Sequence, residues 1–243
     1  MRACGKTTLV ALVTLLFLGC TADAMAQQIA GVSPAATRPA PAIPMFGERE
    51  IHYVDLAPFA RWSNLLARWE HEKEDAAESC VSARDTAPPC PPHEWAEVIE
   101  RFRGLPLRNQ IDGINAAVNA HPYVSALTNW GDPAHWETPF EFFRHNGQCQ
   151  DYAVTKFLLL RELGVPDSAM RVVVLRDMRR EVDHAVLAVA VSGRALMLDN
   201  LARNVVSADA DPDYHAYYSI NGSGWWLHVP NPLMPQAPQL ASR

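Results

Sequence analysis

The chain has 243 residues, a formal net charge of −6 at pH 7 and five cysteines. That length holds one domain with a sizeable buried core, and the acidic balance argues against nucleic acid or an anionic membrane surface as partner. Composition names no reaction.

Arg2 and Lys6 precede an apolar run from Leu9 to Gly19, and Ala24-Met25-Ala26 supplies a small-x-small cleavage site. Residues 1–26 therefore read as a secretory signal peptide, too short to span a membrane as a mature helix. Cys20 in "LFLGC" leaves a second exit open, a lipobox that would anchor the chain by lipid. Residues 27–46 carry four prolines and read as a Pro/Ala-rich linker, and 230–243 read as a disordered tail. The folded domain is placed at 47–229, where no stretch is long enough to cross a bilayer.

The first half of that domain has helical periodicity. Phe59, Trp62, Leu65, Leu66 and Trp69 recur at helical spacing among charges, "HEWAEVIERFRGL" repeats the style, and Ile111, Ile114 and Val118 share a face further on. "NWGDPAHWETPFEFFRHNG" is expected to be a loop. "QCQDYAVTKFLLLRELG" comes next as an amphipathic helix, with Tyr152, Ala153, Phe157, Leu160 and Leu163 as its apolar stripe and Gly164 as its stop. The period then changes. "RVVVLRD", "HAVLAVAVSGRALMLDN" and "GSGWWLHV" are short β-branched or alternating runs. Helices first and strands afterwards predict an α+β fold, an N-terminal helical lobe packed on an antiparallel β-sheet.

Loss of the leader removes Cys4 and, by the simpler route, Cys20. Cys80 and Cys90 lie in the polar, proline-rich "ESCVSARDTAPPCPP", and in an oxidising compartment a disulfide between them is expected. A two-cysteine metal clip is the rival, and His93 alone does not complete it. Cys149 is the thiol left over. It stands at the predicted helix start, where unpaired N–H groups stabilise a thiolate and can hold an oxyanion. A small buried hydrophobe is the alternative reading.

Strand register supplies a base. If Ser192-Gly193 is a two-residue turn, Val191 faces Arg194, Val186 faces Asp199, and His184 shares a face with both Val186 and Asp199. His184 and Asp199 are then diagonal neighbours, roughly 7 Å apart at the backbone. A three-residue turn would send Asp199 to the other face. Asp183, the rival acid, points away from the His184 face by alternation. Cys149, His184 and Asp199 thus supply a nucleophile, a base and an orienting acid.

"WETPFEFFRHNGQCQDYAVTKFLLLRELGVP", then "DHAVLAV", then "LMLDN" resembles the bacterial transglutaminase-like cysteine peptidase family. "INAAVN" and "YYSINGSGWWLH" look like its flanking segments, so the resemblance spans roughly Trp62 to His228. It implies a papain-like/transglutaminase-like core with Cys149, His184 and Asp199 as catalytic triad, a periplasmic location, and a large surface adhesin as substrate, cut near its N-terminus to release cells from biofilm. It also implies an inner-membrane receptor for a cyclic dinucleotide that sequesters the protease. The family reads "G-D-C-E-D-Y-A" and binds calcium beside the cysteine; here Gln148 and Gln150 replace two acids and leave Asp151. Lower ligand charge weakens calcium binding, so no cofactor is expected to be required.

Trp136 and Gln148 are candidates for the cleft or the oxyanion site, and Asn200 and Asp151 for support of the triad. His135, His145, His215 and His228 read as structural, with no metal site. Two further functions stay open: a protein-glutamine acyltransferase, in which an amine replaces water at the thioester, and a catalytically idle binding module of the same fold.

Overall fold

A computed structural model describes Phe46 and residues 48–82, 93–208 and 213–229, the side chains of 79–82 excepted. The expected leader, lipobox, disulfide and tail, and the linker except Phe46, lie outside the described residues.

The apolar positions of the helical half are core. α1 (Ala60–Ser82) buries Trp62, Leu65 and Trp69, α2 (Glu94–Phe102) buries Val98 and Ile99, and α3 (Leu107–Asn119) buries Ile111, Ile114 and Val118. The segment expected to be a loop instead holds the end of one short helix, α4 (Ala126–Trp130), and the whole of another, α5 (Pro139–His145). Local capping explains both. Ser125 accepts from the amide of Thr128, and Thr138 forms a capping box with Glu141, with Pro139 opening the helix.

α6 (Cys149–Glu162) corrects a second expectation. It is not amphipathic: every residue from Asp151 to Leu160 is buried. The helix runs through the middle of the molecule, with the sheet on one side and α2, α3 and α5 on others. An all-round apolar helix is what a central position demands. Gly164, at φ +93°, ends it as the sequence suggests.

Seven antiparallel strands form one sheet in the order β1-β7-β6-β2-β3-β4-β5 among the described residues. They are β1 (Arg49–Tyr53), β2 (Met170–Asp177), β3 (Val182–Val191), β4 (Arg194–Leu198), β5 (Val206–Ser207), β6 (Tyr214–Asn221) and β7 (Gly224–Val229). The fold is α+β, with helices packed on an antiparallel sheet, as expected. One apolar cluster joins α1–α3, α5 and α6 to Val172, Leu187, Val189 and Leu198. A smaller one, with Val173, Leu175, Val186 and Ala188, covers the opposite pleat.

Two features of the sheet position the site. The β3–β4 turn has Ser192 at φ +51° and Gly193 at φ +78°, the mirror-image turn that matches strand twist. It sets Val191 opposite Arg194 and Leu187 opposite Leu198, the predicted register. In β6 a bulge at Tyr217 shifts the pairing, because Val174 pairs with Tyr218 whereas Leu175 pairs with Ala216. A bulge re-aims the side chains beyond it. Tyr214 thereby shares a face with Leu175, which pairs with His184 on its other side.

Candidate active site

The approach to Cys149 is shaped by three residues. Asn146 caps α5 at φ +61°, and Gly147 comes next with no room for a side chain: a Cβ there would sit 2.7 Å from Cβ of Asp151. Gln148 is the N-cap of α6 and Cys149 its first residue. The thiol is free and partly accessible. First-turn amides of a helix have no intrahelical acceptor, so the helix start presents donors beside the sulfur.

The thiol lies 3.6 Å from Oε1 of Gln150, and its charge and hydrogen-bonding capacity act on the ring of His184. On its far side the ring meets Asp199, Nε2 to Oδ1, at 2.8 Å. With Nε2 taken by the acid, Nδ1 is the ring nitrogen that Asp199 leaves open. Burial works against a charged ring here, but the hydrogen bonds and charges of Asp199 and Cys149 outweigh it and raise His184 to about 9. Asp199 shows the complement. Burial pushes its carboxyl up, while His184, the Leu201 amide and the Tyr214 hydroxyl together bring it below the ordinary range.

Asp199 is held on all sides. Oδ1 also accepts from the amide of Leu201 at 2.8 Å, and Oδ2 accepts from the hydroxyl of Tyr214 at 2.7 Å. Nδ2 of Asn119, at the end of α3, donates to the main-chain oxygens of Asp199 and Ala202 at 2.8 and 3.2 Å. Tyr214 and Asn119 thus take the supporting role expected of Asn200. The side-chain oxygen of Asn200 is buried without a partner, and the residue lines a cavity of about 730 Å³ beside the turn. Asp183 faces away and binds Arg176 and Tyr217.

The remaining sequence candidates have other work. Trp136 packs edge-on against Trp62 at 6.3 Å, a core contact. The amide of Gln148 spans two segments, accepting from Ala126 N at 3.2 Å and donating to Pro133 O at 3.3 Å, and it stitches the approach loop to the helix tip. Asp151 is buried, and its two oxygens accept from the amides of Glu137 and Gln148, each at 2.9 Å. Beside it lies Glu137, which sequence reasoning passed over. It is fully buried; Oε1 accepts from Trp130 Nε1 at 2.6 Å and Asn129 Nδ2 at 3.1 Å, while Oε2 has no partner. Burial raises both carboxyls above the ordinary range, and neighbouring acids add to it. Its sequence signal was the capped "ETPFE", a polar residue set against a buried helix start.

The family model of the bacterial transglutaminase-like cysteine proteinases, BTLCP, matches residues 97–232, more than half of the chain. The chain belongs to that family. It is a cysteine peptidase by that membership. Among solved structures, LapG of Legionella pneumophila is similar at 28% identity with a TM-score of 0.50, covering 55% of this chain and 75% of that one. The calcium-bound form of the same LapG gives the same values, and the EGTA-treated form differs only in covering 73% of its own chain. No curated protein matches.

The calcium-bound LapG makes the ion worth testing against the residues present. Calcium takes roughly six to eight oxygen ligands. Here the Asp151 oxygens are each engaged by a main-chain amide and the Gln148 carbonyl by Ala126, so the one orphaned carboxylate oxygen beside them is Oε2 of Glu137. Among the described residues no group of three or more His, Cys, Asp or Glu side chains is arranged to hold a metal. With Gln148 and Gln150 neutral, Asp151 and Glu137 are the carboxylates that the helix start offers an ion.

Proposed function

We propose that Cys149, His184 and Asp199 form the catalytic triad of a periplasmic endopeptidase acting on a large surface adhesin. The observation that carries the chemistry is the buried His184–Asp199 pair, Nε2 to Oδ1 at 2.8 Å, whose ring is also acted on by the thiol at the start of α6. In the first half-reaction His184 takes the thiol proton and the sulfur attacks the scissile carbonyl. Amides at the start of α6 face the developing oxyanion. Collapse breaks the C–N bond, and the imidazolium returns its proton to the leaving amine. Water, deprotonated by the same ring, then hydrolyses the thioester and frees Cys149. Asp199 holds the ring in one tautomer and stabilises its charged form.

The substrate, the periplasmic setting and a cyclic-dinucleotide receptor as regulator rest on the family resemblance carried by "WETP", "CQDYA", "HAVL" and "LDN". The donor set beside Cys149 supports an enzyme that works with little or no bound calcium. The test is incubation with the alanine-rich N-terminal region of a giant repeat adhesin and a labelled primary amine. Cleavage that disappears in Cys149→Ala is expected. Amine incorporation without cleavage would replace hydrolysis by acyl transfer, and neither product would leave an idle binding module.

A further inference from the structure

Lys156 lies seven residues after Cys149 on α6, the same face of the helix about 10 Å further along its axis. It is completely buried. Its Nζ points at the main-chain oxygen of Leu198, 3.5 Å away, and sits 6.0 Å from the centre of the Tyr152 ring. Leu198 is the last residue of β4, and Asp199 is the next residue along the chain.

A lysine at this position is costly. Burying an ammonium is unfavourable unless it is well paired, and buried ion pairs are often replaced by apolar residues without loss of stability. Ala153, Val154, Phe157, Leu158, Leu159 and Leu160 around it on the helix are buried and apolar, and an unbranched methionine would occupy the same channel. Packing therefore gives no reason for a charge. The acid that sets the tautomer of His184 does.

We propose that Lys156 is a positioning residue for Asp199, tying the end of β4 to the helix that carries the nucleophile and presenting a positive charge to the buried carboxylate. One helix then carries both the thiol and the anchor for the acid, so neither can shift without the other. The inference rests on the triad reading. It is supported by the titration of the lysine itself: burial lowers it to about 7, and the Asp199 carboxylate pulls it partly back. From α6 the Tyr152 ring faces it, from the turn after β4 Asp199 is the charged group acting on it, and His184 of β3 stands beyond Asp199. The positive charge is therefore lost across neutral pH.

The test compares full-length wild type with Lys156→Met in two measurements: the thermal midpoint, and the rate of Cys149 alkylation by iodoacetamide from pH 5 to 10. The expected result is a midpoint equal to or above wild type, alkylation at pH 6 at least fivefold slower, and loss of an inflection near pH 7 that wild type shows. A lysine with only a structural role would not move that profile. A methionine variant that unfolds overturns the proposal, and so does one that folds and alkylates within twofold of wild type with the same profile. If wild-type Cys149 reacts no faster than glutathione, the triad reading falls and this one with it; a reactive wild type matched by the variant sinks this one alone.

Discussion

Asp199→Asn isolates the charge behind His184 from the geometry around it. An asparagine carbonyl at the Oδ1 position still accepts from His184 and Leu201, and its amide can donate to the Tyr214 hydroxyl in place of accepting from it, so the side chain fits the same cradle. What disappears is the carboxylate. His184 stands at about 9 against an ordinary 6.5, and at about 1.36 kcal/mol per unit that elevation is worth about 3 kcal/mol of preference for the charged ring. Asp199 supplies the leading favourable share and Cys149 the rest. Titration of the His184 ring by NMR should therefore place its midpoint roughly two units lower in the variant. Hydrolysis should fall by roughly 10² to 10⁴, the range that a positioned general base contributes. A His184 midpoint within half a unit of wild type would refute the reasoning, because the ring's basicity would then owe nothing to the acid.

The same geometry makes other outcomes measurable. Tyr214→Phe removes the donor to Asp199 Oδ2, and a buried hydrogen bond to a charged group is worth about 1.5–3 kcal/mol; urea denaturation should register that loss while Cys149 stays reactive. Gly147→Ala would press a methyl to 2.7 Å from Cβ of Asp151 and 3.0 Å from Oε2 of Glu137, and the overpacking should cost about 1–3 kcal/mol by the same measurement. Because His184 is raised in the folded state, its contribution to stability is complete below about 6.5 and lost as pH rises through about 9; denaturation curves across that window should weaken in wild type and less so in His184→Gln. The double variant Gln148→Asp with Gln150→Glu restores two carboxylates beside the cysteine, and calorimetry should detect calcium binding stronger than in wild type.

How much of this was legible depended on whether local chemistry or distant packing decided each feature. The His184–Asp199 pairing could be read in advance because a two-residue turn at Ser192-Gly193 counts the register for the whole hairpin. The start of α6 was legible too, since Asn146, Gly147 and Gln148 each carry a backbone signal. Lys156 was not. A lysine among leucines on a helix reads as a solvated residue, and only the packing of α6 on every side turns it inward. Tyr214 escaped for a related reason: a bulge a few residues along the ladder decides which face it takes, and a single extra residue in β6 leaves no mark in the hydrophobic pattern. β1 was missed because "REIHY" is short and half exposed, and it becomes a strand by pairing with β7, far along the chain. The short helices α4 and α5 were hidden by prolines and glycines that look like loop residues but sit at the helix ends.

The central claim is that the sulfur of Cys149 is activated by the imidazole beside it. The rate of its reaction with iodoacetamide at pH 6, set against glutathione under the same conditions, tests this most directly. A rate at least tenfold above glutathione, abolished in Cys149→Ala and sharply reduced in His184→Gln, is the expected result. A rate no greater than that of the free thiol would contradict the account.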